Sequence, residues 1–157
     1  SGHDGWAAWT VVGDELLLMH GSWSDEELGD DSFIIAEKEL LASTLGLVGL
    51  APLANLSYVY SFTDNTVAIA AMRRFTPKTA RMQALTTARV EWMVEHRVAE
   101  AAERITSKAN VWADLGSRAA ASTVVAQAAA LGLKTTLVEA PSWWRMSCMG
   151  EHADCSS

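Results

Sequence analysis

Three acidic residues stand at the boundaries of apolar segments. Glu39 opens the run Glu-Leu-Leu-Ala, Asp64 follows the apolar stretch Ser-Tyr-Val-Tyr-Ser-Phe-Thr, and Asp114 sits in Lys-Ala-Asn-Val-Trp-Ala-Asp-Leu-Gly-Ser-Arg. Carboxylates gathered from separate elements onto one spot repel one another, and divalent cations relieve that repulsion. Oxygen-only ligation of this kind suits Mg²⁺ or Mn²⁺. Two such ions about 3.5–4 Å apart activate a water and stabilise the leaving oxygen in phosphodiester cleavage. Each acid also has an ordinary alternative. Asp64 and Asn65 are both good helix N-caps, Glu39 fits a solvated helix face, and Asp114 stands four residues before Arg118, the spacing of a surface ion pair. Only their joint occurrence favours chemistry.

One stretch has the opposite charge. Between Asp64 and Glu91 lie Arg73, Arg74, Lys78, Arg81 and Arg89 and no acid. A helix–proline–helix junction at Pro77 clusters Arg73, Arg74, Lys78 and Arg81, which makes these four candidates for gripping nucleic-acid phosphates. A solvated helix face is the competing account. His20 and His96 lack metal-ligand spacing, and Cys148 and Cys155 have no partners for a metal site, so zinc is not expected.

The elements that position these residues follow from local pattern. Residues 6–12 are aromatic and β-branched, Gly13-Asp14 is a turn signal, and residues 15–20 read as the returning strand of a hairpin. Residues 22–31 form an acidic loop or short helical turn. Residues 33–49 carry a helical stripe through Leu41, Leu45 and Val48, stopped by Pro52. Residues 56–62 form a strand and 66–74 a short helix. A longer helix runs from Pro77 to Val98, residues 101–106 are a weaker strand, residues 110–127 are Ala-rich and helical, and Leu137-Val138 is extended. Alternation of this kind implies a mixed sheet with helices on its faces.

The chain has 157 residues, half of them apolar, which suffices for one core and excludes intrinsic disorder. Its 19 acids and 12 bases leave a net charge of −7, so nucleic-acid binding has to rest on a local patch. Two cysteines near the C-terminus cannot build a disulfide scaffold, and residues 1–15 lack a secretory signal. An intracellular protein, cytoplasmic or nuclear, is expected. Residues 40–63 are uncharged, but Pro52, Asn55 and several hydroxyl residues interrupt them, so a buried helix and strand are expected there and no membrane span.

In order and spacing, Glu39-Leu-Leu-Ala, Thr63-Asp64-Asn65 and Asn110-Val-Trp-Ala-Asp114-Leu-Gly-Ser-Arg118 resemble the ribonuclease H domain of retroelement reverse transcriptases, of the DIRS-like and long-terminal-repeat kinds. The resemblance covers residues 1–118 and implies an α/β, ribonuclease H-like mixed five-stranded sheet with helices on both faces. Residues 119–157 then form a C-terminal helical extension and tail. It implies a metal-dependent endoribonuclease that cuts the RNA strand of RNA–DNA hybrids with two Mg²⁺ or Mn²⁺ ions and follows a polymerase domain in its parent polyprotein. Glu39, Asp64 and Asp114 would be the metal ligands. Glu37 competes with Glu39, since a two-residue offset rotates about 200° around a helix and both cannot face one site; the Glu-Leu-Leu-Ala context favours Glu39. The family's first catalytic aspartate would fall two residues before Ser1, with Asp4 as the nearby stand-in, and Gly5-Trp6-Ala7-Ala8 matches the segment after it. Arg104 occupies the place of a histidine that assists product release in related domains. Asn65 is a candidate for contacts to the hybrid. A catalytically silent module of the same fold, acting as a structural or hybrid-binding spacer, is the alternative. An integrase-like member fits less well, because the Glu-Leu-Leu-Ala element precedes Asp64.

Overall fold

The computed structural model describes residues 5–74, 77–105, 112, 115 and 121–141. Its elements run β1 (Gly5–Val12), β2 (Glu15–Ser22), α1 (Asp25–Gly29), α2 (Ile35–Leu50), β3 (Tyr58–Thr63), α3 (Thr66–Arg74), α4 (Ala80–His96), β4 (Ala99–Arg104), α5 (Ala121–Ala130) and β5 (Lys134–Val138). The strands and helices expected up to residue 105 are present in order, and the acidic loop contains α1. Of the helix expected over 110–127, residues 110, 111, 113, 114 and 116–120 lie outside the described residues, and α5 covers its last part. Ser24 and Glu27 explain that helix: the Ser24 hydroxyl accepts from the Glu27 N–H at 3.1 Å, and the Glu27 carboxylate accepts from the Ser24 N–H at 2.8 Å. This reciprocal capping box satisfies two donors that a helix start otherwise leaves open.

The architecture is α/β with mixed strand directions, but the described strands do not form one five-stranded sheet. They form a three-stranded sheet ordered β1-β2-β5 and a two-stranded sheet of β3 and β4. β1 and β2 are antiparallel across the Gly13-Asp14 turn, where Gly13 adopts a positive φ. β5 lies parallel to β2, and β3 lies parallel to β4. The C-terminal segment therefore contributes a strand to the same sheet as the N-terminal hairpin.

β2 shows why that sheet is covered on both sides. Leu16, Leu17, Leu18 and Met19 are all buried, and successive side chains on a strand point to opposite faces. Leu17 and Met19 join Trp6, Trp23, Phe33 and the inner stripe of α2 in the larger core. Leu16 and Leu18 join Ala7, Trp112, Val124 and Ala128 in a second core under α5. Close approach on the α2 side depends on Gly46, where an added Cβ would lie 2.6 Å from the Ala8 Cβ. No helix among the described residues is long and apolar enough to cross a membrane.

A buried polar network ties the second sheet to the helices. Arg89 of α4 is 1 % exposed, pairs with Glu100 of β4, and donates to the Thr44 hydroxyl of α2 at 2.8 Å and to Ser43 at 3.3 Å. Ser61 of β3 donates to Glu100 from the other side at 2.5 Å. Two strands and two helices thus converge on one ion pair. Within the basic stretch, this residue is structural.

Candidate functional site

The acids at 39 and 64 come from α2 and from the end of β3, and the fold brings these two elements together. Both residues are half-buried. Thr63, the last residue of β3, is buried, and its hydroxyl lies 3.5 Å from Glu39 Oε2. The Thr63 hydroxyl oxygen accepts from the Asn65 N–H at 3.3 Å, which turns the chain sharply where Asp64 emerges. Asn65 Oδ1 accepts from the Ala68 N–H at 2.9 Å and caps α3. Of the two candidate caps, Asn65 therefore takes that position, and its carboxamide oxygen is committed to the helix start.

Glu37 occupies a different environment from Glu39, as the rotation around α2 requires. It is 2 % exposed, and its Oε1 accepts from the Ile34 N–H at 3.0 Å and from Arg81 at 3.1 Å. Its Oε2 accepts from the Thr79 hydroxyl at 2.6 Å. Thr79 also caps α4, accepting from the Met82 N–H at 3.1 Å, so Glu37 locks the starts of α2 and α4 to each other. Glu39 faces a cavity of about 360 Å³ between α2, β1 and β3, which Ser43, Ser61 and Thr63 also line.

The basic candidates separate by environment. Arg81 is only 15 % exposed at its side chain, bridges Glu37 and Asp30, and stacks its guanidinium 5.1 Å from the Phe33 ring. Arg73 is 43 % exposed at its side chain, donates to the Ala102 carbonyl at 2.5 Å and pairs with Glu103 at 2.9 Å. Lys78 is exposed, and Arg74 belongs to the last turn of α3. One carboxyl in this region titrates abnormally. Asp30 is held below the ordinary carboxylate range, first by the hydroxyl and backbone N–H of Ser32 and then by Arg81.

Asp4 and Asp114 lie outside the described residues, as do Trp143, Trp144, Cys148 and Cys155. Among the described residues no group of three or more His, Cys, Asp or Glu side chains could hold a metal ion. Glu39 and Asp64 are the expected ligands that fall within them. The sequence marked Thr63 within the Thr63-Asp64-Asn65 motif without its contact to Glu39, and Arg89 within the basic stretch without its partner Glu100. The signal for Thr63 was its place as the last strand residue before an acid. For the pair, it was an arginine on a helix facing a glutamate on the next strand.

No protein-family model matches the chain, and comparison with curated proteins and with solved structures returns no match.

Proposed function

We propose that this chain is a ribonuclease H-like module that cleaves the RNA strand of RNA–DNA hybrids, working beside a polymerase domain of a retroelement reverse transcriptase. One observation carries the proposal: Glu39 on α2 reaches the C-terminal end of β3 where Asp64 begins, through Thr63 at 3.5 Å. Acids 25 positions apart in the chain are thereby gathered at a strand end, where open α/β sheets place their ligands.

The donor set fits a hard divalent cation. Two half-buried carboxylates beside a buried hydroxyl offer oxygen alone, which matches Mg²⁺ or Mn²⁺ and not zinc. Glu39 and Asp64, with Asp114 and an N-terminal aspartate represented here by Asp4, would hold the ions. When bound, the ions supply an activated water and neutralise the leaving oxygen. The protein's part is positional. Thr63 lies against the Glu39 carboxylate and holds the turn before Asp64, and the Asn65 cap sets the direction of α3. Arg73, Arg74 and Lys78 stand along and after α3, where the phosphates of a bound strand would pass, and Arg81 stiffens the base of that region through Glu37.

The silent-module reading has its own support, because Arg73 and Arg81 already pair with Glu103, Glu37 and Asp30. A labelled RNA–DNA hybrid incubated with Mg²⁺ or Mn²⁺ decides between the two. The nuclease reading expects cleavage confined to the RNA strand, with Asp64→Asn and Glu39→Gln each lowering the rate by at least about a hundredfold while the thermal transition stays within a few degrees. Hybrid binding without cleavage selects the silent module.

A further inference from the structure

We infer that the outward face of the β3–β4 sheet is a stacking platform for the bases of a single-stranded nucleic acid, carried by Tyr58, Tyr60 and Phe62 and flanked by Arg97 and Arg104. It does not rest on the nuclease reading, which uses none of these five residues, and it requires no metal ion.

Alternation along β3 defines the face. Ser61 donates to Glu100, which pairs with Arg89 of α4, and Thr63 lies against Glu39 of α2, so the odd-numbered residues turn toward the helices. Successive strand side chains point to opposite sides. Tyr58, Tyr60 and Phe62 therefore project away from α2 and α4, and they are 51 %, 64 % and 52 % exposed. Neither hydrophobic core includes any of the three. Across the parallel pair they stand level with Ala99, Ala101 and Glu103 of β4. Two of these neighbours are methyl-sized and leave the tyrosine rings open from the side. Three adjacent aromatic residues left on one face of a strand form an apolar patch of the kind that binds a partner.

Rings and cations together select that partner. The Tyr58 and Tyr60 ring centroids are 5.2 Å apart with the planes tilted by 52°, so the two side chains brace each other into a preformed surface. Every nucleobase has a π face, and aromatic rows on a sheet bind successive bases of an unpaired strand by stacking. Bases inside a duplex are already stacked and cannot lie on the rings. The phosphates of a strand laid along β3 call for positive charge at the ends of the row. Arg97 lies two residues before β4 at the Tyr58 end, Arg104 closes β4 at the Phe62 end, and both are exposed. Glu103, the acid level with Phe62, is paired with Arg73 at 2.9 Å and so presents no bare negative charge to the strand. An apolar protein surface would satisfy the rings and leave the two arginines unused.

Fluorescence anisotropy of end-labelled oligomers, with the whole chain in EDTA at low salt, supplies the test. A thymidine strand of about twelve nucleotides should bind at least about tenfold more tightly than an abasic strand of equal length, and than the same strand paired with its complement. A uridine strand run beside it shows whether RNA or DNA is preferred, and either preference supports stacking. Tyr60→Leu keeps an apolar side chain and removes the π face, so it should weaken binding by at least about fivefold, while Tyr60→Phe retains it. Arg97→Asn combined with Arg104→Gln should flatten the dependence of affinity on salt. Equal binding of the abasic and base-bearing strands, unchanged affinity in Tyr60→Leu, an unchanged salt slope in the arginine variant, or no binding of either strand overturns the proposal. A dimer in sedimentation that Tyr60→Arg disperses also overturns it and identifies a second copy as the occupant. With metal absent throughout, these outcomes do not depend on whether the chain cleaves hybrids.

Discussion

Replacing Arg89 with methionine is the sharpest perturbation of the fold that holds the candidate site. The guanidinium is 1 % exposed and its partner Glu100 is 5 % exposed at the side chain, so solvent cannot take over the lost interactions. Methionine keeps most of the apolar stem but leaves a buried carboxylate whose remaining partner among the described residues is the Ser61 hydroxyl. Breaking a buried ion pair from one side costs about 3–5 kcal/mol, because the surviving charge keeps its desolvation penalty and loses its compensation. Against a total of about 5–15 kcal/mol for a domain, that is a large fraction. At about 2–4 °C per kcal/mol for a chain of this size, the thermal midpoint should fall by roughly 6–20 °C. The pair's own contribution is smaller than that loss, and a double-mutant cycle separates the two. Glu100→Gln alone leaves a buried cation and should be similarly costly, whereas the combined variant leaves neither charge and should cost at least about 2 kcal/mol less than the sum of the singles. The assay is urea unfolding at neutral pH, followed by the fluorescence of the buried tryptophans. Strict additivity, or a loss below about 1 kcal/mol in Arg89→Met, would refute the view that this ion pair is desolvated and shared among four elements.

Two further perturbations act elsewhere in the scaffold. Asp30 has a carboxyl lowered in the folded state by Ser32 and Arg81, so its contribution is present above its unfolded value of about 3.9 and is lost as pH falls through the lower folded value. The thermal midpoint of Asp30→Asn should therefore lie below that of the parent at neutral pH and converge with it in the window below about pH 4; a pH-independent gap would remove this linkage. At Gly46 the usual helix preference should reverse. Glycine to alanine in a helix interior ordinarily gains up to about 1 kcal/mol, but the new methyl would stand 2.6 Å from the Ala8 Cβ. Gly46→Ala should lose about 1–3 kcal/mol in the same urea assay, and a gain would show that α2 and β1 are not in rigid contact.

Local pattern carried most of the element order, because each element has its own cause near at hand. The four consecutive apolar residues of β2 mark a strand buried on both faces, and Pro52 ends the region of α2. Boundaries moved where a cap outweighed a propensity. α4 begins at Ala80, three residues after Pro77, since the Thr79 hydroxyl caps it. β4 begins at Ala99, two residues earlier than the alanine run suggested, because Arg97 closes α4 in the left-handed conformation and frees the chain to extend at once. The parallel docking of β5 on β2 had no local signature. It joins residues about 120 positions apart, and its register is set by packing and by the contact of Thr136 with Glu15 at 2.5 Å.

The candidate site was legible for the converse reason. An acid directly after an apolar strand must emerge at the strand's end, and an acid in the first turns of a helix packed on that strand can only lie near one of its two ends. What pattern alone could not decide was which helix acid faces inward, because Glu37 and Glu39 carry the same chemistry. The structure separates them by their partners. Glu37 is consumed by the Ile34 N–H, Thr79 and Arg81, an arrangement that gives one carboxylate three donors and makes it part of the frame. Glu39 lines the cavity and lies against the strand end at Thr63. The same rotation that hides one acid in the scaffold therefore presents the other to whatever binds there. Removing the frame acid should weaken folding, and removing the cavity acid should leave folding and change what the cavity can hold.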